Sequence, residues 1–123
     1  MSRGRPPRNA LVIALPFAWS RGFVTLCRRE RDSVCDFVIH AAEYTVVVLV
    51  QRSRRLHGSI AEMEAQFAEH TTRLRLVPPG PARSLELWAA SPYGGIRFFR
   101  ITATGLAELF RNGELMAGNG RTP

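Results

Sequence analysis

A chain of 123 residues, 46% of them hydrophobic, is long enough for one folded domain with its own core and too apolar to be disordered. Its formal charge is +7, and all 17 of its basic residues are arginine. The absence of lysine excludes any mechanism that needs a lysine ammonium, and two cysteines are too few for a disulfide framework or a zinc site of their own.

The charge predicts attraction to polyanions, nucleic acid before anionic membrane. Residues 1–9 carry Arg3, Arg5 and Arg8 and read as a basic tail. The apolar run that follows superficially copies a signal peptide. Ser20-Arg21-Gly22 makes a poor cleavage site, however, and the run is too short to span a bilayer. A first core helix capped by Asn9 is expected, with Leu11, Leu15 and Trp19 at four-residue spacing and Pro16 kinking or splitting it. Residues 23–28 and 33–40 read as two strands around a charged turn. Cys27 and Cys35 are read as reduced, buried thiols of a cytoplasmic protein.

Residues 44–50, Tyr-Thr-Val-Val-Val-Leu-Val, predict a central strand buried on both faces. It breaks off into Gln51, Arg52, Ser53, Arg54 and Arg55. Ser59 and Glu62 form a capping-box pattern at the start of one long helix, 59–74, with an apolar stripe of Ile60, Met63, Phe67, His70 or Thr71, and Leu74. A proline-rich loop leads to strands at 84–90 and 96–101, and Thr102 or Thr104 caps a closing helix over 105–112. The order α-β-β-β-α-β-β-α predicts a single α/β domain over 10–112, a mixed central sheet flanked by helices, with a second tail at 113–123.

Five stretches recur in a telling order. They are Arg21-Gly22-Phe23 after the first helix, Cys35-Asp36-Phe37-Val38, the third strand and its exit, Leu85-Glu86-Leu87-Trp88, and Ile96-Arg97-Phe98-Phe99-Arg100. Together they resemble the restriction-endonuclease-like, or PD-(D/E)XK, superfamily, and within it the archaeal Holliday-junction-resolvase type. The resemblance implies an Asp and a second acid on adjacent strands sharing a magnesium ion, with a Lys two residues after the second acid. Asp36 falls at the first acid, but Leu49 stands at the second and Gln51 at the Lys, and the first helix holds no Asp or Glu. What it implies here is therefore a degenerate site. Asp36 is its remaining metal ligand and Gln51 its catalytic remnant. Glu62 is the candidate for a migrated acid, although the capping box already accounts for it.

Each of these residues also has a plainer reading: Asp36 as the ion-pair partner of Arg52 or Arg54, Gln51 as a polar strand end. Arg28, Arg29 and Arg31 form one cationic cluster, and Arg52, Arg54, Arg55 and His57 another. In a meander the two reach one sheet edge, where they would track phosphates; the alternative is a solvated face. His40 and His57 read as ordinary exposed histidines. The leading expectation is a nucleic-acid-binding protein, DNA favoured, with a nuclease-like fold and a lost metal site. The alternatives are a magnesium-dependent endonuclease using Asp36, Gln51 and Glu62, and a protein-interaction module. The resemblance also implies a two-fold homodimer, and no membrane partner is expected.

Overall fold

The computed structural model describes residues 9–27, 35–78 and 80–116. Asn9 opens the first helix, α1 (Ala10–Trp19), its side chain accepting the Leu11 N–H at 2.8 Å. Pro16 removes one helical donor, yet α1 runs on as one element to Trp19, so of the expected kink or split the split does not occur. Ile13, Ala14 and Ala18 are buried on the sheet, and that packing outweighs one missing hydrogen bond. Gly22 then lets the chain pass close to the second strand: a Cβ there would stand 2.6 Å from the His40 carbonyl oxygen.

Six strands follow in one sheet whose spatial order is the order of the sequence. The first three are β1 (Phe23–Leu26), β2 (Phe37–His40) and β3 (Thr45–Arg52), an antiparallel meander as expected. The helices α2 (Ile60–Gln66) and α3 (Ala68–Leu74) carry the chain across to β4 (Arg83–Ala90), which lies parallel to β3 over its whole length. β5 (Ile96–Ile101) and β6 (Leu106–Leu109) extend the sheet antiparallel. The result is a mixed α/β domain, with the crossover helices between the only parallel pair among the described strands.

Alternation along the strands divides the core in two. Phe37, Ile39, Val46, Val48, Val50, Trp88, Phe98 and Leu109 meet α1, with the Trp88 ring edge-on to both Phe37 and Phe98. Leu87, Ala89, Phe99 and Leu106 meet Met63 and Phe67 of the crossover. Strand β3 is buried on both sides, as its composition predicts. Each fully buried Val or Leu there contributes about 1.5–3 kcal/mol of transfer free energy.

Three expectations are corrected. The long helix has a break at Phe67, whose backbone (φ −108, ψ 21) leaves helical values while its ring enters the core. Met63 of the first half and Phe67 at the break pack on the sheet, and Thr71 and Leu74 of the second half are buried as well. The closing helix over 105–112 is instead the strand β6. Thr102 does accept the Gly105 N–H on its hydroxyl at 3.0 Å, but it closes a tight turn, with its own N–H on the Gly105 carbonyl at 2.8 Å. An eight-residue helix is marginal alone, and the open edge of β5 offers the backbone a full ladder. Finally, Cys27 and Cys35 are half-buried and joined as a disulfide across the β1–β2 edge, with Cα atoms 6.3 Å apart, rather than reduced thiols. No helix among the described residues is long and apolar enough to cross a membrane.

Candidate functional site

The carboxyl ends of the parallel pair, β3 and β4, are where open α/β sheets place ligands, and the candidate residues named from the sequence lead there. Asp36 lies one residue before β2 begins, where the β2–β3 ladder has run out. Its Oδ2 accepts the Val50 N–H at 2.7 Å, and its backbone N–H donates to the Val48 carbonyl at 2.8 Å. The carboxylate thus continues the pairing that the strand no longer supplies. This backbone bond gives a half-buried acid a partner at this position.

Gln51 is half-buried and alternates with Val50, so it shares the crossover-helix face with Val47 and Leu49. Its amide donates to the neighbouring Val50 carbonyl at 3.1 Å. Glu62 is exposed on α2, where its Oε1 accepts the Ser59 N–H at 2.7 Å and the Ser59 hydroxyl accepts the Glu62 N–H at 3.1 Å. The capping box is therefore complete, and the Ser59 backbone bond holds the Glu62 carboxyl below its ordinary range. Magnesium takes hard oxygen ligands in near-octahedral order. Among the described residues no three His, Cys, Asp or Glu side chains gather as a ligand group, and the nearest candidates have backbone partners. Among the described residues, then, no magnesium site is assembled.

The basic exit of β3 is better built. Arg52, Arg54, Arg55 and His57 are all exposed. Ser53, buried among them, donates its N–H to the Ala90 carbonyl at 2.9 Å and its hydroxyl to the Arg55 carbonyl at 2.6 Å, while Gln66 of α2 donates to the same hydroxyl at 3.2 Å. From β5, Arg97 reaches across to donate to the carbonyls of Leu56 at 2.7 Å and Gly58 at 3.0 Å. The same guanidinium forms a two-pronged pair with Glu108 of β6, at 2.8 and 2.6 Å, and lies 5.1 Å from the centre of the Phe99 ring. The Glu108 hydrogen bond raises the Arg97 pKa despite partial burial.

Two ion pairs occur among the described residues, Arg97–Glu108 and Arg21–Glu86. Neither involves Arg52, Arg54 or Arg55. Their charge therefore stands on a pinned loop without a carboxylate partner among the described residues. Arg28, Arg29 and Arg31 lie outside the described residues. The described residues on either side of that stretch are Cys27, whose N–H donates to the Asp36 carbonyl at 3.0 Å, and Cys35. His40 sits at the opposite end of the strands, against Thr25 and the Phe23 ring.

Neither the protein-family models nor the curated proteins compared with this chain give a match.

The sequence reading passed over a second polar constellation. Glu86 is wholly buried on the α1 face of β4, where both its oxygens accept from Arg21, at 2.8 and 3.0 Å, and one accepts the Trp88 indole N–H at 2.9 Å. The Arg21 guanidinium carbon lies 5.9 Å from the Trp88 ring centre. Burial pulls the Arg21 pKa down, and the Glu86 bonds more than reverse it. The one signal available beforehand was a Glu inside the apolar alternation of β4, since a charge there requires a partner.

Proposed function

We propose that the protein binds nucleic acid, DNA in the first instance, through the carboxyl edge of β3 and β4, with Arg52, Arg54, Arg55 and His57 on the phosphates. One observation carries this reading: exposed arginines without a carboxylate partner among the described residues stand on a loop that Ser53, Gln66 and Arg97 hold at three points. A pinned loop loses little conformational entropy on binding, and arginine forks suit phosphate oxygens. The net charge of +7 supplies the long-range attraction. Contacts of this kind position a nucleic acid without reading its sequence.

The finer fold reading is restriction-endonuclease-like. It is supported by the succession of one helix, a three-stranded antiparallel meander, a helical crossover and a strand parallel to the third. Within that frame Leu49 and Gln51 replace the acid and the Lys of the cutting strand, and Asp36 serves the backbone of Val50. The reading is therefore of a binding protein with degenerate chemistry. Fluorescence anisotropy with duplex, single-stranded and four-way-junction DNA tests it. Micromolar binding that weakens with salt is expected, with a log–log slope of about −0.9 for each duplex phosphate neutralised. Flat anisotropy at low salt ends the proposal. Plasmid nicking in magnesium or manganese that disappears in Asp36→Asn would replace it with the endonuclease reading.

A further inference from the structure

Unpaired buried polar atoms are rare in folded proteins, and each calls for a partner. Four side chains among the described residues hold such an atom: Arg21 Nε, His70 Nδ1, Ser84 Oγ and Arg100 Nε. Three of them, Arg21, Ser84 and Arg100, line one cleft of about 430 Å³. It opens at the amino-terminal ends of β3 and β4, at the far edge of the sheet from the basic loop. Tyr44, Pro81, Ala82, Arg83, Glu86 and Gly113 complete its wall. The cleft gathers three guanidinium groups against one carboxylate.

Each of these groups is held in place. The Arg21 side chain is only 5% exposed and is locked to Glu86 through two nitrogens. Arg100, opposite Glu86 in the β4–β5 register, donates to the Gly113 carbonyl at 3.1 Å. Gly113 itself has φ +93 and lies so close to Arg21 that a Cβ there would meet Nη2 at 2.5 Å. Arg83 is exposed at the rim and donates to the Pro78 carbonyl. A second recess of about 530 Å³ is also lined by Arg83, Ser84 and Arg100, but Leu85 and Ile101 in its wall lie on the crossover-helix face of the sheet, opposite Glu86 and Arg21. The cleft with Arg21 is cationic and holds the spare donors of Arg21, Ser84 and Arg100.

We propose that this cleft binds a small organic phosphate. Arg83, Arg100 and the Ser84 hydroxyl hold the phosphate group, and its organic body lies along Tyr44 and Pro81. Glu86 neutralises one of the three arginines, so the remaining two positive charges match a phosphomonoester dianion better than a carboxylate monoanion. Arg21 is a positioning residue, held by Glu86 at the base of the site. The inference is independent of nucleic-acid binding at the other edge.

The test is calorimetric titration of the full chain with phenyl phosphate, inorganic phosphate and benzoate at constant ionic strength. Saturable one-to-one binding is expected, with phenyl phosphate tighter than inorganic phosphate because of its apolar body. Loss of charge-assisted bonds makes benzoate, and the variants Arg83→Gln and Ser84→Ala, weaker by about tenfold or more. Both substitutions sit at the rim or remove one oxygen, so retained circular dichroism separates lost binding from lost folding. Arg54→Glu combined with Arg55→Glu leaves phenyl phosphate binding unchanged. No saturable binding to wild type, equal affinity for benzoate, or loss of binding in the Arg54/Arg55 variant would each overturn the proposal. So would tight binding of a 5′-phosphorylated oligonucleotide with none of phenyl phosphate.

Discussion

Asp36 and Glu62 show how a carboxylate that resembles a catalytic group also serves the backbone beside it. Asp36→Ala leaves the Val50 N–H without its acceptor where the ladder has ended, a loss of about 1–3 kcal/mol that urea unfolding will read. Asp36→Asn keeps an oxygen for that bond and should be the milder change. For Glu62 the consequence lies in pH. Its folded-state pKa is depressed, so its contribution is present above the unfolded value, about 4.3, and fades as pH falls through the lower folded one. Glu62→Gln keeps the capping geometry without the charge. Denaturant midpoints between pH 6 and pH 3 should therefore fall less steeply in Glu62→Gln than in wild type. Glu86 is the opposite case, a charge wholly inside the protein. Glu86→Leu strands the buried Arg21 cation and should cost about 3–5 kcal/mol, whereas removing both partners together costs less.

At the scale of elements, the basic loop depends on a strand that reads as a helix. Glu108 reaches Arg97 only because β6 pairs with β5, and Arg97 in turn holds the carbonyls of Leu56 and Gly58. Glu108→Ala should speed amide hydrogen exchange through 54–58 and weaken DNA binding, although Glu108 is itself anionic and no part of the basic surface. A DNA affinity raised by removing that negative charge would show that the brace is irrelevant. The disulfide belongs to this scale as well. Cys27 and Cys35 close a short loop, and replacing both by Ser should lower stability by about 2–3 kcal/mol through the freed unfolded chain. Thiol titration of the denatured, unreduced protein checks the bond directly and is expected to find no free cysteine. A persistent disulfide is at home in an oxidising compartment, which sets it against the cytoplasmic expectation.

Across the whole molecule, the sheet keeps its two polar constellations apart, with arginines at both ends in different surroundings. Those at the carboxyl edge stand in solvent. Those at the amino edge are buried with Glu86 or line a cleft. A charge count cannot separate the two groups, and this is why the sequence reading saw only one of them. Arg54→Glu with Arg55→Glu should abolish the salt-dependent part of DNA binding, while Arg83→Gln should leave it within about twofold, one peripheral charge being worth little at physiological salt.

What was legible beforehand was local. The run from Thr45 to Val50 is β-branched and uncharged, so it is a buried strand in any fold that has a sheet. Ser59 and Glu62 are close enough in the chain to cap α2 without help, and the meander and crossover follow from element order. Three things were decided only by tertiary contact. The segment Leu106–Leu109 became a strand because the edge of β5 offered hydrogen bonds that a short helix cannot match. Cys27 and Cys35 became a disulfide because adjacent strands brought them together. Arg21 and Glu86, 65 residues apart, became a buried pair because α1 ends above β4. Propensity and capping act over a few residues and are written in the chain. Register, edge pairing and buried charge compensation depend on which distant segments meet, and only the folded sheet specifies that.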